Sequence, residues 1–144
     1  MPNPSRPPAP GYLANLMARL FHEVSGEGLV PLGIAPAQFP LLIELWFGDG
    51  PVTRQSLIAS QESSAEIIDP LLQSMAASGL IQSAFDSGTP LQLTALGLSL
   101  REPAIPAARR ANAAAASALS ETEMASFTDM MNRVIDALQA VRTK

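Results

Sequence analysis

The stretch SSAEIIDPLLQSMAASGLI, residues 63–81, decides the fold because it combines a helical repeat with a defined end. Apolar residues of this stretch recur at the spacing that places side chains on one face of a helix: Leu71, Leu72 and Met75. Gly79 follows them and is the residue favoured at the left-handed position after a helix. We therefore predict a helix over residues 63–79, packed on a core through its C-terminal half.

Pro70 allows two structures for this helix. A proline in a helix interior removes a backbone hydrogen bond and clashes with the preceding turn, at a cost of about 3 kcal/mol. Ser63 and Glu66 have the spacing of a capping box, and Asp69 before Pro70 has the form of an N-cap. The helix is therefore either kinked at Asp69 or split, with a new helix starting at Pro70.

Three helices are predicted before this stretch. The first covers residues 11–28 and is stopped by Gly26 and Gly28. The second opens near Pro36 after a loop, and the third is a short helix capped by Thr53.

A hairpin and two helices are predicted after it. The stretch LIQSAFDSGTPLQLT, residues 80–94, has the pattern of two short strands joined by a turn. A helical pattern then resumes, although Pro103 and Pro106 must kink or interrupt it. The last helix opens with a capping box of Ser120 and Glu123 and carries a Met- and Val-rich apolar stripe.

Composition limits the classes of function. The 144 residues are 47% hydrophobic, which suits one domain with a packed core after a proline-rich flexible tail over residues 1–10. Cysteine is absent and His22 is the single histidine, so neither a metal site nor any other cofactor is expected. With no phosphate-binding loop or catalytic grouping, we expect no enzyme. No apolar run reaches about 18 residues, so we expect no membrane partner and a cytoplasmic location.

Charge is unevenly distributed. The formal net charge is −4, and residues 44–97 contain six acidic residues against one basic residue, Arg54. Such a balance argues against binding nucleic acid through charge alone.

The order of helices, hairpin and further helices resembles the MarR family of bacterial transcriptional regulators over residues 11–142. Five stretches carry the resemblance: GYLANLMARLFHE (11–23), PLGIAPAQFPLLIELW (31–46), GPVTRQSLI (50–58), LLQSMAASGLI (71–81) and LQLTALG (91–97). It implies a mainly α fold with a small β-hairpin wing. The winged helix-turn-helix would occupy residues 35–97, flanked by dimerisation helices in residues 11–34 and 98–144.

The resemblance also implies partners and sites. It implies a homodimer that presents each winged helix to one DNA half-site, and a small aromatic or amphipathic effector between dimer arm and winged helix. The positions that would contact DNA are Arg54, Gln55, Ser63, Ser64, Gln73 and Ser74. Those that would line the effector crevice are Tyr12, Arg19, His22 and Trp46.

This sequence departs from the family where DNA is read. The family carries basic and hydroxyl residues along the fourth helix, where this chain has Glu66, Asp69 and Pro70, and its wing contains no base. Arg54 is either a phosphate contact or a solvated surface charge. Two functions stay open: a regulator with weak or unusual DNA affinity, and an interaction protein that regulates by binding another protein or as an acidic decoy.

Overall fold

The computed structural model describes residues 5–82 and 88–142. Within these ranges the chain is mostly helical, with short 3-10 turns at Val30–Leu32 and Pro36–Gln38. The α-helices are α1 (Pro10–Leu29), α2 (Phe39–Phe47), α3 (Arg54–Ser60), α4 (Ala65–Ala77), α5 (Ala95–Ser99), α6 (Arg101–Ala116) and α7 (Glu121–Val141).

The chain divides into two compact units, Met1–Ala108 and Arg109–Lys144. The first unit contains one continuous apolar core, which α2, α3 and α4 all enter. Its largest fully buried side chains are Leu29, Ile34, Leu41, Leu42, Leu57, Ile68, Leu72, Met75, Leu80 and Ile81. Trp46 is also buried, and its indole Nε1 donates to the carbonyl of Gly97 at 2.9 Å.

The predicted stops of the first helix are wrong, because both glycines lie inside α1. A Cβ on Gly28 would lie 2.8 Å from the Cβ of Ala107, so glycine permits the close approach of α1 to α6. A Cβ on Gly26 would lie 3.4 Å from Pro36. These glycines serve helix packing, and the left-handed turn comes later, at Gly33 with φ +83°.

The fourth helix runs without a break from Ala65 to Ala77, so of the two alternatives at Pro70 the split is wrong. Ser64 takes the N-cap position of α4 without a side-chain cap bond, and the predicted capping box of Ser63 and Glu66 is not formed. Glu66 and Pro70 are both exposed, so the carbonyl that loses its helical partner lies on the exposed face of the helix. The predicted end is confirmed, since Gly79 has φ +78°.

The predicted β-hairpin is not confirmed. Among the described residues there is one isolated antiparallel bridge, between Ile81 and Leu93, rather than two strands. Adjacent backbone bonds extend it: Gln82 N to Gln92 O at 2.9 Å and Thr94 N to Leu80 O at 3.1 Å. Residues 83–87, which contain the end of the first predicted strand and the first two residues of the predicted turn, lie outside the described part of the chain.

The C-terminal helices break at a different place from the one predicted. The chain leaves α5 at Leu100, and α6 then continues through Pro103 and Pro106. Pro103 falls in the first turn of α6, where a backbone donor has no helical partner to lose. The capping box of α7 is confirmed, because Ser120 N donates to Glu123 Oε1 at 2.9 Å and Glu123 N to Ser120 Oγ at 3.1 Å.

We expect Gly97→Ala to destabilise the first unit strongly. A Cβ at this position would lie 2.1 Å from the carbonyl oxygen of Leu80, so the backbone must shift, which we expect to cost about 3 kcal/mol. Gly50→Ala is the matched control, because nothing lies within 4 Å of its Cβ position. Urea unfolding followed by circular dichroism measures both, and equal midpoints for the two variants would refute this packing.

Candidate nucleic-acid interface

Helices α3 and α4 form the helix-turn-helix of the first unit. Thr53 caps α3 as predicted, accepting from the backbone N–H of Ser56 at 3.0 Å. In the turn that follows, Glu62 has φ +51°, a left-handed conformation that side chains rarely adopt. Glu44 of α2 holds this turn, since its carboxylate accepts hydrogen bonds from Ser60 Oγ and from Gln61 Nε2.

The two faces of α4 differ in chemistry. The inner face is apolar, and three of its side chains are buried in the core: Ile68, Leu72 and Met75. The outer face exposes Glu66, Ile67, Pro70, Gln73, Ser74 and Ala77. Ile67 is 57% exposed, and the outer face carries one acid and no base. The outer face of α4 therefore offers no cationic side chain to a phosphate group.

Arg54, the one basic residue in positions 44–97 of the sequence, is paired with an acidic residue of α4. Arg54, the first residue of α3, donates from Nε to Asp69 Oδ1 at 2.5 Å and from Nη2 to Asp69 Oδ2 at 2.9 Å. This is the bidentate arrangement in which a guanidinium and a carboxylate bind most strongly. The Arg54 side chain is 24% exposed and that of Asp69 is 37% exposed, so the pair lies at the surface between α3 and α4.

The pair shifts both titrations. The hydrogen bond from Arg54 lowers the pKa of Asp69 below its ordinary value, and the charge of Arg54 acts in the same direction. The same hydrogen bond raises the pKa of Arg54. Both side chains are therefore charged at neutral pH, and the net charge of the pair is zero.

The structure places the predicted DNA-contacting residues on α3, the turn and α4. Gln55, Ser64 and Gln73 are exposed, and Ser63 is half-buried in the turn. Ser74 is exposed as a residue, but its hydroxyl already accepts from Gln38 Nε2 at 3.0 Å and donates to the carbonyl of Leu71 at 2.8 Å. Their roles in DNA binding stay predictions.

Sequence reasoning missed Asp69 as the partner of Arg54. It assigned Asp69 to an N-cap because Pro70 follows, and that interpretation required a split helix. In a continuous helix, Asp69 lies between the buried Ile68 and Leu72, at the border of the buried face. The opposite charges at positions 54 and 69 were the available signal.

The predicted effector residues are only partly brought together. An open depression of about 290 Å³ lies along α1 and is lined by Tyr12, Asn15, Leu16 and Arg19. His22 is exposed and does not line it. Trp46 is 8% exposed, and its ring makes an edge contact with Phe39 within the core. The effector roles of Tyr12, Arg19, His22 and Trp46 therefore stay predictions.

The described ranges contain no group of three or more His, Asp or Glu side chains placed to hold a metal ion. No single helix among them combines the length and hydropathy that crossing a membrane requires. The segments Pro10–Leu32 and Pro36–Phe47 meet both criteria only when taken together across a bend of 94°.

Comparison with known proteins gives matches at the level of structure. The sequence matches no protein-family model and no curated protein sequence. The fold is similar to a MarR transcriptional regulator from Methanosarcina mazei Go1, with TM-score 0.73, 18% identity, and 91% of this chain and 95% of that chain covered. It is also similar to a probable transcriptional regulator from Pseudomonas aeruginosa, with TM-score 0.72, 22% identity, and 88% and 97% covered.

A third similar structure contains DNA. It is the S. aureus MepR-DNA complex, with TM-score 0.79, 17% identity, and 90% of this chain and 98% of that chain covered. At such identities the similarity concerns the backbone fold. It carries no information about the side chains on the outer face of α4.

We expect the contribution of Asp69 to stability to depend on pH. Because its pKa is lowered in the folded state, this contribution is present above the unfolded pKa of about 3.9 and is lost as pH falls through the folded pKa. Asp69→Asn should therefore be less stable than the wild type at pH 7, and the difference should shrink at the most acidic pH. Urea unfolding between pH 7 and pH 2.5 measures it.

The matched control is Asp49→Asn, which makes the same chemical change at an exposed loop carboxylate. We expect it to change the free energy of unfolding by about 0.5 kcal/mol or less at pH 7. A difference between Asp69→Asn and the wild type that stays constant down to pH 2.5 would contradict the role given to the ion pair.

Proposed function

Since the chain has the MarR-type winged-helix fold, we propose that it is a dimeric transcriptional regulator that binds DNA weakly through α3 and α4. The observation that carries the proposal is the helix-turn-helix itself. The inner face of α4 is packed into the core while its outer face is exposed along the whole helix. The neighbour from S. aureus was crystallised with DNA. The proposal includes no catalytic activity.

Dimerisation is proposed because two helices expose apolar stripes. Helix α7 has no buried residue, although it is 21 residues long. Its exposed apolar side chains are Met130, Val134, Ile135, Leu138 and Val141. Those of α1 are Tyr12, Leu13, Met17 and Leu20. Stripes of this kind are typical of protein interfaces, and we assign dimerisation to residues 11–34 and 98–144.

Weak DNA affinity is proposed on electrostatic grounds. Phosphate contacts supply most of the affinity of a DNA-binding protein, and strong binders make about 6–10 of them. A dimer of this chain offers two copies of Arg54, each already bonded to Asp69. Base contacts from Gln73, Ser64 and Gln55 must then supply a larger share of the binding energy than in a basic protein.

An effector site is proposed along α1. The depression there combines the ring of Tyr12, the side chain of Leu16 and the guanidinium of Arg19, a set suited to a small aromatic acid. His22 lies on the same helix but does not line this depression, and Trp46 is buried against Phe39, so their effector roles stay predictions.

A second function is favoured by the same outer face of α4. Glu66 beside exposed Ile67 and Pro70 gives an acidic and apolar surface, which suits a basic protein partner better than a phosphate backbone. On this alternative the chain regulates by binding another protein, or as an acidic decoy for a basic site, and does not bind DNA.

Salt dependence separates the two functions. For DNA from the protein's own gene neighbourhood, we expect the slope of log affinity against log salt to be about −2 or shallower, since a dimer offers two Arg54 contacts. Arg54→Ala should flatten the slope, while Arg133→Ala, which removes an exposed charge of α7, should leave it unchanged. Fluorescence anisotropy from about 20 to 200 mM salt measures both slopes. If the wild type does not bind this DNA even at about 20 mM salt, direct DNA binding is rejected and the protein-interaction function is retained.

The dimer is tested at α7. We expect Val134→Glu to shift the protein from dimer to monomer, because it places a charge within the exposed apolar stripe. Asn132→Glu adds the same charge on the opposite, polar side of the helix and should leave the dimer intact. Light scattering at micromolar concentration distinguishes the two, and a monomeric wild type would reject the dimer.

A further inference from the structure

The Arg54–Asp69 pair engages the guanidinium N–H groups of Arg54 that could otherwise donate hydrogen bonds to a DNA phosphate. The Nε and Nη2 groups of Arg54 both point at the Asp69 carboxylate, 2.5 and 2.9 Å from its oxygens. A guanidinium binds phosphate through the same fork of donors. We propose that Asp69 is a specificity-determining residue, which suppresses sequence-independent DNA binding by holding Arg54 in this pair. The inference rests on the proposed DNA-binding function.

Arg54 is the residue on which such suppression must act. No other Lys or Arg occurs in the sequence between Arg19 and Arg101, so the whole winged helix depends on this one cation for phosphate attraction. Sequence-independent binding comes almost entirely from phosphate contacts. Control of Arg54 is therefore control of the non-specific part of the affinity.

Asp69 is well placed to hold it. The neighbours of Asp69 in α4, Ile68 and Leu72, are buried in the core, so the backbone that carries the carboxylate is fixed. Thr53 fixes the other partner by capping α3 immediately before Arg54. The pair therefore joins two helices whose backbones are held in place, α3 by its N-cap and α4 by its buried face.

Sequence discrimination follows from the cost of breaking the pair. A phosphate that binds the guanidinium of Arg54 displaces the Asp69 carboxylate from it and lies close to that carboxylate. The two negative charges then repel each other. A generic duplex offers nothing to offset that cost. A sequence whose bases also accept bonds from the outer face of α4 does offset it, so specific DNA is favoured over non-specific DNA.

The test uses full-length protein and a mixed-sequence 30-base-pair duplex, measured by fluorescence anisotropy at several salt concentrations. Asp69→Asn removes the carboxylate that holds Arg54, and Glu66→Gln removes an equal charge from the exposed face of the same helix. We expect Asp69→Asn to bind about tenfold more tightly than Glu66→Gln at low salt, with a salt slope steeper by about 2 per dimer. The double variant Arg54→Ala/Asp69→Asn should lose that gain.

Circular dichroism spectra of every variant check for a folding defect. Asp69→Ala is a second variant that removes the bonds from Arg54 to Asp69, and it has no amide that could replace the carboxylate. Equal affinities for the Asp69 and Glu66 variants, or a gain that persists without Arg54, overturn the inference. If those results accompany a wild type that binds DNA from its gene neighbourhood, the proposed function stands. If the wild type does not bind that DNA while Asp69→Asn binds the mixed duplex, the proposed function fails, and the result supports the suppression of DNA binding by Asp69 but overturns its role in specificity.

Discussion

Burial of one face of α4 is the constraint on which the rest of the molecule depends. Ile68, Leu72 and Met75 are buried in the core, so apolar packing alone determines which residues of the helix face solvent, whatever their charge. Each of these side chains contributes about 1.5–3 kcal/mol when it leaves water. That stabilisation is enough to retain α4 as one helix despite the cost of Pro70, and it sets Asp69 at the border where Arg54 reaches it.

The large elements followed from sequence because their signals are local. Thr53, Gly79 and the Ser120–Glu123 capping box each act within four residues, and each is found where it was predicted. Pairings between distant residues were not visible. Gly28 was predicted to end the first helix because glycine commonly does so. Its close approach to Ala107, which lies far along the chain, could not be seen in the sequence.

The candidate site shows the same limit. The exposed positions of α4 could be predicted from helical periodicity, but the bond between Arg54 and Asp69 needed the packing of α3 against α4. Ser74 illustrates the point further, because its hydroxyl is bound by Gln38, 36 positions earlier in the chain. Charge counts alone describe this surface as acidic with one base, whereas the structure shows that the base is neutralised within the surface.

The environment of Trp46 makes the protein its own optical probe. It is the single tryptophan, its ring is buried, and its N–H is bonded to the carbonyl of Gly97. Both Trp46 and the single tyrosine, Tyr12, belong to the first unit, so the intrinsic fluorescence of the protein reports on that unit alone. Far-ultraviolet ellipticity also includes α7 and the part of α6 after Ala108, and a mismatch between the two signals would show that the two units do not melt together.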